Sequence, residues 1–169
     1  MNMKLKTKVI LLSAVATLLL GVLWHFVYDW TGQNRFIGLI FPTNESTWEH
    51  MKLVFFPMSI SAIYMYKNLK EEYPTILSHI LCSIVLGTWF VPILFYSYSG
   101  IYGRTCFVAD IFVFLLSVLF AHLALWHYAG MPWPNVCFYF GVILYMLQLI
   151  SFFWFTYHPG TWNIFTDLS

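Results

Sequence analysis

Charge is what this chain has least of. It carries 8 Lys and Arg and 7 Asp and Glu among 169 residues, 9% in all, against about 25% in soluble domains. So few charges cannot coat a water-facing surface, which leaves a bilayer as the expected solvent. The net charge of +1 supplies no basic face for nucleic acid. Cysteine is scarce as well. Cys82, Cys106 and Cys137 show neither CxxC nor zinc-knuckle spacing, which excludes a dithiol redox pair and a structural zinc site. They read as small buried apolar residues. Internal repeats and linkers are lacking too, so one transmembrane helical domain is expected over 1–169.

Apolar runs are abundant: 60% of the residues are hydrophobic and 21% aromatic. Five runs, 9–30, 51–66, 75–96, 105–128 and 133–157, approach the roughly 20 residues that a helix needs to cross hydrocarbon. They are too long and too continuous for barrel strands, so the expected fold is all-α, a bundle of about five transmembrane helices. Trp48 and Tyr64 are expected to anchor the short second span at the interface. Pro57 and Pro92 fall inside spans and predict kinks. The first run reads as an uncleaved span, because the apolar segment ahead of Ala14-Val15-Ala16 is too short for a leader. Lys4, Lys6, Lys8, Lys67 and Lys70 gather on one side; Arg35, Lys52 and Arg104 mark the other. Positive charge favours the cytoplasm, which predicts a multi-pass protein of the cytoplasmic (cell) membrane with its N-terminus in and its C-terminus out.

That topology sends most of the ionisable groups to one end. His25 and Asp29 close the first span. Asn44, Glu45, Glu49, His50 and Lys52 open the second. Arg104 and Asp110 flank the turn into the fourth, and His158 follows the fifth. His25 and Asp29 stand four residues apart on one helical face. Asp110 lies within a span, where an acid needs a partner; Arg104 and His25 are the candidates. Ser46-x-x-Glu49 has the pattern of a capping box. The 41–52 stretch therefore reads in two ways, as a helix start and as a site.

The run "HFVYDWTGQNRFIGLIFPTNESTWEHMKLVFFPM" resembles the signature region of a family of small bacterial polytopic membrane proteins of unknown function. Pro42, Asn44, Glu45, Ser46, Trp48, Glu49, His50 and Lys52 carry the match. The resemblance implies a bacterial cytoplasmic-membrane protein and supplies no activity. A looser similarity is to membrane hydrolases of the alkaline ceramidase and adiponectin-receptor kind, echoed by Glu45, Ser46 and His50. Here the chain departs from the pattern, with five predicted spans rather than seven and His122 and His127 five residues apart, where those hydrolases carry H-x-x-x-H.

Three functions stay open on the sequence. In the first, His25, Asp29 and His50, with a carboxylate from Glu45 or Glu49, bind a divalent metal such as zinc. The metal activates a water against an amphiphile, with the other carboxylate as general base. Arg35, Lys52 or Arg104 would then take a phosphate headgroup, with Asn44, Asp110 and His158 also lining the pocket. In the second, Asp110 and His25 serve binding or transport of a small molecule or ion. In the third, the chain is a non-catalytic partner subunit of a membrane complex. In each case membrane lipids are the surrounding partners.

Overall fold

The computed structural model describes residues 3–167, and among these every regular element is helical. Helix α1 spans Met3–Trp30, α2 is the short turn Arg35–Gly38, α3 spans Thr47–Leu69, α4 Ile76–Tyr102, α5 Phe107–Tyr128 and α6 Asn135–Phe155. A 3-10 turn at Asn163–Phe165 follows. The elements match the expected runs, except that α2 has no counterpart among them and α1, α3 and α4 are longer than the runs that predicted them.

Four helices, α1, α4, α5 and α6, are long and apolar enough to cross a membrane. The expected second span, α3, is not among them, and its surroundings explain why. Of its 23 residues, 13 are buried, Glu49 and Lys52 included. Its neighbours are helices rather than lipid, with α1, α4 and α5 packed against it. A helix enclosed by protein can carry charge where a lipid-facing one cannot. The four apolar helices show the complementary pattern, with Leu19, Leu86, Phe112, Leu119, Ile143 and Trp154 all exposed on their outer surfaces.

The pairing of α1 with α3 is antiparallel, and polar contacts mark its register. His25 and His50 are neighbours at one end. Deeper in, the Thr17 and Ser61 hydroxyls share a hydrogen bond of 2.9 Å, and Ser13 donates to the Ser61 carbonyl at 3.4 Å. At 23 residues and 1.5 Å of rise per residue, α3 is about 34 Å long. Helix α6 joins through the stack of Tyr145 on Phe55, the Tyr145–Ser59 hydrogen bond of 2.9 Å, and Phe152 against Phe55. Trp48 is buried in a nest with Phe152, Phe155 and Phe165. It is therefore a core residue that seats the C-terminal turn, and the expected interfacial anchor at this position is corrected. The cysteines also differ from expectation: Cys106 is exposed, and Cys82 and Cys137 are only partly buried.

Both expected prolines lie inside helices. Pro57 has no N–H to offer the Leu53 carbonyl, and Gly21 of α1 packs directly against that oxygen. A Cβ at Gly21 would stand 2.8 Å from it and 2.5 Å from Phe114 Cζ. The backbone side of this contact cannot move without shifting α3, so overpacking should cost about 1–3 kcal/mol. Gly21→Val is expected to lower the thermal midpoint in detergent by several degrees. Gly100→Ala, where a Cβ would meet open space, serves as the control, and equal midpoints for the two variants would refute the close-approach role.

Candidate functional site

The 41–52 stretch begins with a helix cap. Ser46 is the N-cap of α3, its hydroxyl accepting from the Glu49 N–H at 3.3 Å. The reciprocal half of the expected capping box is not made. The Ser46 N–H donates instead to the Asn44 side chain at 2.9 Å, a local turn that Asn readily forms. Glu49 is thereby free to point inward.

There it meets Lys52. The Lys52 ammonium donates to Glu49 Oε2 at 2.7 Å, to the Gly38 carbonyl at 2.8 Å and to Thr156 Oγ1 at 2.7 Å. Glu49 also accepts from the Thr43 N–H at 2.9 Å. Lys52 is 0% exposed and Glu49 2%. Each charge has a full set of partners, which is the condition for burying an ion pair. The roles first given to these two residues are corrected on this geometry. Glu49 is held in an ion pair and is not free to act as a general base, and Lys52 is sealed from any headgroup. The network joins α2, the following loop, α3 and the end of α6. Gly38 allows the approach, since a Cβ there would stand 2.5 Å from the Tyr157 hydroxyl and 2.6 Å from Thr43 Cγ2.

The loop so held places Glu45 between two histidines. Glu45 Oε2 lies 3.3 Å from His50 Nε2 and 3.6 Å from His25 Nε2. One ligand atom from each of the three residues falls within 4.8 Å of the others. The group is about one-third to one-half exposed, so it opens at the rim. His50 Nδ1 lies 3.1 Å from the Ser46 carbonyl. A carbonyl can only accept, so Nδ1 carries the proton, and in the neutral ring Nε2 presents a lone pair toward a carboxylate. Two acceptors facing one another require a cation between them, a proton or a metal ion. The hydrogen bond with His50 holds the Glu45 carboxyl below the usual carboxylate range, helped by the charges of His50 and His25 and opposed by partial burial.

The other expected ligands and pocket residues lie elsewhere. Asp29 is exposed and accepts from Gln33 at 3.3 Å, outside the cluster. Asp110 accepts from the Tyr98 hydroxyl rather than pairing with Arg104 or His25, although it stays within electrostatic reach of His50. Arg104 is exposed. Arg35 lies over the Tyr157 ring and His158 stacks on Trp154. Asn44 is spent on the turn before Ser46. Reading the sequence did not single out Thr43 or Thr156, whose partners come from other elements. The buried His79 and His122 each bond the carbonyl four residues back.

Apolar helices packed around a buried, charge-bearing helix, with a histidine–carboxylate cluster at one end, define a polytopic helical membrane protein. Comparison with known sequences places it further: the chain belongs to a family of unknown function (DUF6512), whose model matches residues 1–169. No curated protein and no solved structure matches the chain.

Two outcomes follow from this geometry. Lys52→Met alone leaves a buried carboxylate unpaired and should cost about 3–5 kcal/mol. Combining it with Glu49→Gln should recover most of that loss, and strictly additive destabilisation would remove the coupling. The depressed Glu45 carboxyl contributes stability that is complete above its unfolded value, near 4.5. That contribution disappears as pH falls through the lower folded value. Because Glu45 is about half exposed, it should amount to less than about 1 kcal/mol. Glu45→Gln should therefore melt slightly below wild type at neutral pH and converge with it in acid; a constant difference across the titration would contradict this.

Proposed function

We propose that this protein is a membrane metalloprotein whose His25–Glu45–His50 cluster holds one divalent cation, zinc by preference, and presents it to amphiphiles at the outer face of a bacterial cytoplasmic membrane. The observation that carries the reading is the fixed His50 tautomer. Its Nδ1–H is anchored on Ser46 and its Nε2 lone pair is aimed at Glu45, which is how a ligating histidine is ordinarily oriented by a second hydrogen bond. The Glu45 distances of 3.3 and 3.6 Å also match the ligand–ligand edge of about 3.3 Å expected for tetrahedral zinc with bonds of about 2.0–2.1 Å. Two imidazoles and one carboxylate leave a fourth position for water, whose pKa zinc brings to about 7. Held there, the ion would supply a water activated toward an ester or amide carbonyl. Asp110, bonded by Tyr98 and within electrostatic reach of His50, is the further carboxylate that could assist. In this reading α3 crosses the membrane as the fifth span, enclosed by the other four. The N-terminus then lies in the cytoplasm, and the cluster faces out.

The test is metal content. Detergent-purified protein dialysed against zinc should retain one ion per chain, and His25→Ala, Glu45→Gln and His50→Ala should each weaken binding at least about tenfold. Binding should release protons and weaken in acid, because both imidazoles must be neutral to ligate. Turnover of a fluorogenic amphiphilic ester in mixed micelles should then depend on the ion. Wild-type protein that holds no stoichiometric metal would discard the proposal.

A further inference from the structure

At the same end of the bundle as the histidine–carboxylate cluster, α2 and the end of α6 flank an open-sided cavity of about 360 Å³. Its walls are aromatic: Phe36 of α2 on one side, Phe153 and Trp154 of α6 on the other, with Tyr157 beyond. Phe36 is 81% exposed, Trp154 59% and Phe153 40%, more apolar surface than a water-facing loop would leave open. Two basic side chains, Arg35 and His158, stand among these rings.

The placement of Arg35 is informative. Its guanidinium lies 4.9 Å from the centroid of the Tyr157 ring, and among the described residues no carboxylate pairs with it. The planar fork is thus oriented on an aromatic face, and among the described residues nothing accepts from its N–H donors. The backbone beneath is fixed as well, because the Tyr157 hydroxyl donates to the Arg35 carbonyl. His158 has its Nδ1 engaged by the Trp154 carbonyl at 3.1 Å. Its Nε2 remains, to accept from a headgroup hydroxyl or, as imidazolium, to donate to an anion.

From this combination we infer that the cavity between α2 and α6 binds a phosphate-bearing lipid, its headgroup on Arg35 and His158 and its acyl chain along Phe153 and Trp154. A guanidinium matches phosphate oxygens two at a time. The adjoining aromatic wall leads onto the lipid-facing surface of α6, where Trp154, Ile150 and Leu147 are all more than half exposed. A soluble anion would use the guanidinium but not the wall, and a neutral lipid the wall but not the guanidinium. This inference is independent of the metal reading, since neither Arg35 nor His158 belongs to the His25–Glu45–His50 cluster.

Native mass spectrometry of the full chain in detergent tests it, with dioleoyl phosphatidic acid as probe, dioleoylglycerol as its phosphate-free counterpart and inorganic phosphate as the headgroup alone. Phosphatidic acid should bind at least about tenfold more tightly than either of the others. Arg35→Gln should lose about tenfold and His158→Ala about threefold, both with unchanged thermal midpoints. Arg35→Lys keeps the charge without the fork and covers the case in which Arg35→Gln does not fold; it should lose about threefold. His50→Ala, aimed at the metal centre, should retain the lipid, so the two readings fail separately. Equal binding of dioleoylglycerol, inorganic phosphate as tight as the lipid, or full affinity in folded Arg35→Gln or Arg35→Lys overturns the inference.

Discussion

The ion pair between Lys52 and Glu49 is the constraint on which this end of the molecule depends. Two opposite charges lie among apolar helices with almost no exposure, a placement tolerated only because each has further partners. Those partners come from three separated parts of the chain: Gly38 in α2, Thr43 in the loop and Thr156 at the end of α6. Helix α2 and the loop bury little apolar surface of their own, whereas the end of α6 is also held by Phe152 and Phe155 against Trp48. For α2 and the loop the pair stands in place of hydrophobic burial, and its loss would release both together. Replacing both charges by apolar residues could preserve stability while losing the positions of α2 and the loop, so the pair's role is specific placement more than net free energy.

Placement of the loop in turn positions the cluster. Glu45 sits four residues ahead of Glu49, on the strand of chain that Thr43 pins at one side and the Ser46 cap closes at the other. His50 follows Glu49 by one residue and so faces a different direction, about 100° around the helix. The inward residues of the stretch, Ser46, Trp48, Glu49 and Lys52, are all buried; Glu45 and His50 are left toward the rim. The dense polar stretch is thus two interleaved sets, one structural and one open to ligands. The question of cap or site has both answers, on different residues.

Which set a residue belonged to was only partly legible in the sequence. The helices followed from the length of the apolar runs, and the Ser46 cap from local spacing. The gathering of polar groups at one end followed from counting spans. His25 and His50 could be placed as neighbours because consecutive antiparallel helices bring their adjoining ends together. Glu45 and Glu49 could not be separated, since both precede or open the helix and only the partners of α2 and α6 decide which turns inward. Asp29 looked equivalent to Glu45 because it shares a helical face with His25, but in the structure its carboxylate meets Gln33 instead. Lys52 looked available to a phosphate headgroup because burying an ammonium costs several kcal/mol; the offsetting partners lie 14 and 104 residues away in sequence, where no local pattern reports them. The same long-range partners let α3 carry Glu49 and Lys52 in the interior, so the whole helix falls short of a spanning hydropathy although its 51–66 core reads as apolar.

The short helix α2 connects the two candidate binding regions without merging them. Its Gly38 carbonyl takes the Lys52 ammonium on the inner side, while its first residues wall the aromatic cavity on the outer side. The Tyr157 hydroxyl binds the Arg35 carbonyl and also crowds Gly38, so the α2 backbone is held from both flanks by the end of α6. A ligand that drew Arg35 out of the cavity would have to pull against this double attachment. One that bound Arg35 in place would tighten contacts that already exist. The arrangement suits capture of a headgroup at a rigid position, with little reorganisation to oppose binding. Occupancy of the cavity can reach the histidine cluster by two routes: the Lys52–Glu49 network with the loop it holds, and Trp24, which adjoins His25, donates to the Ile40 carbonyl and stacks on Phe41. Replacing the network by apolar side chains would cut the first route and leave the second.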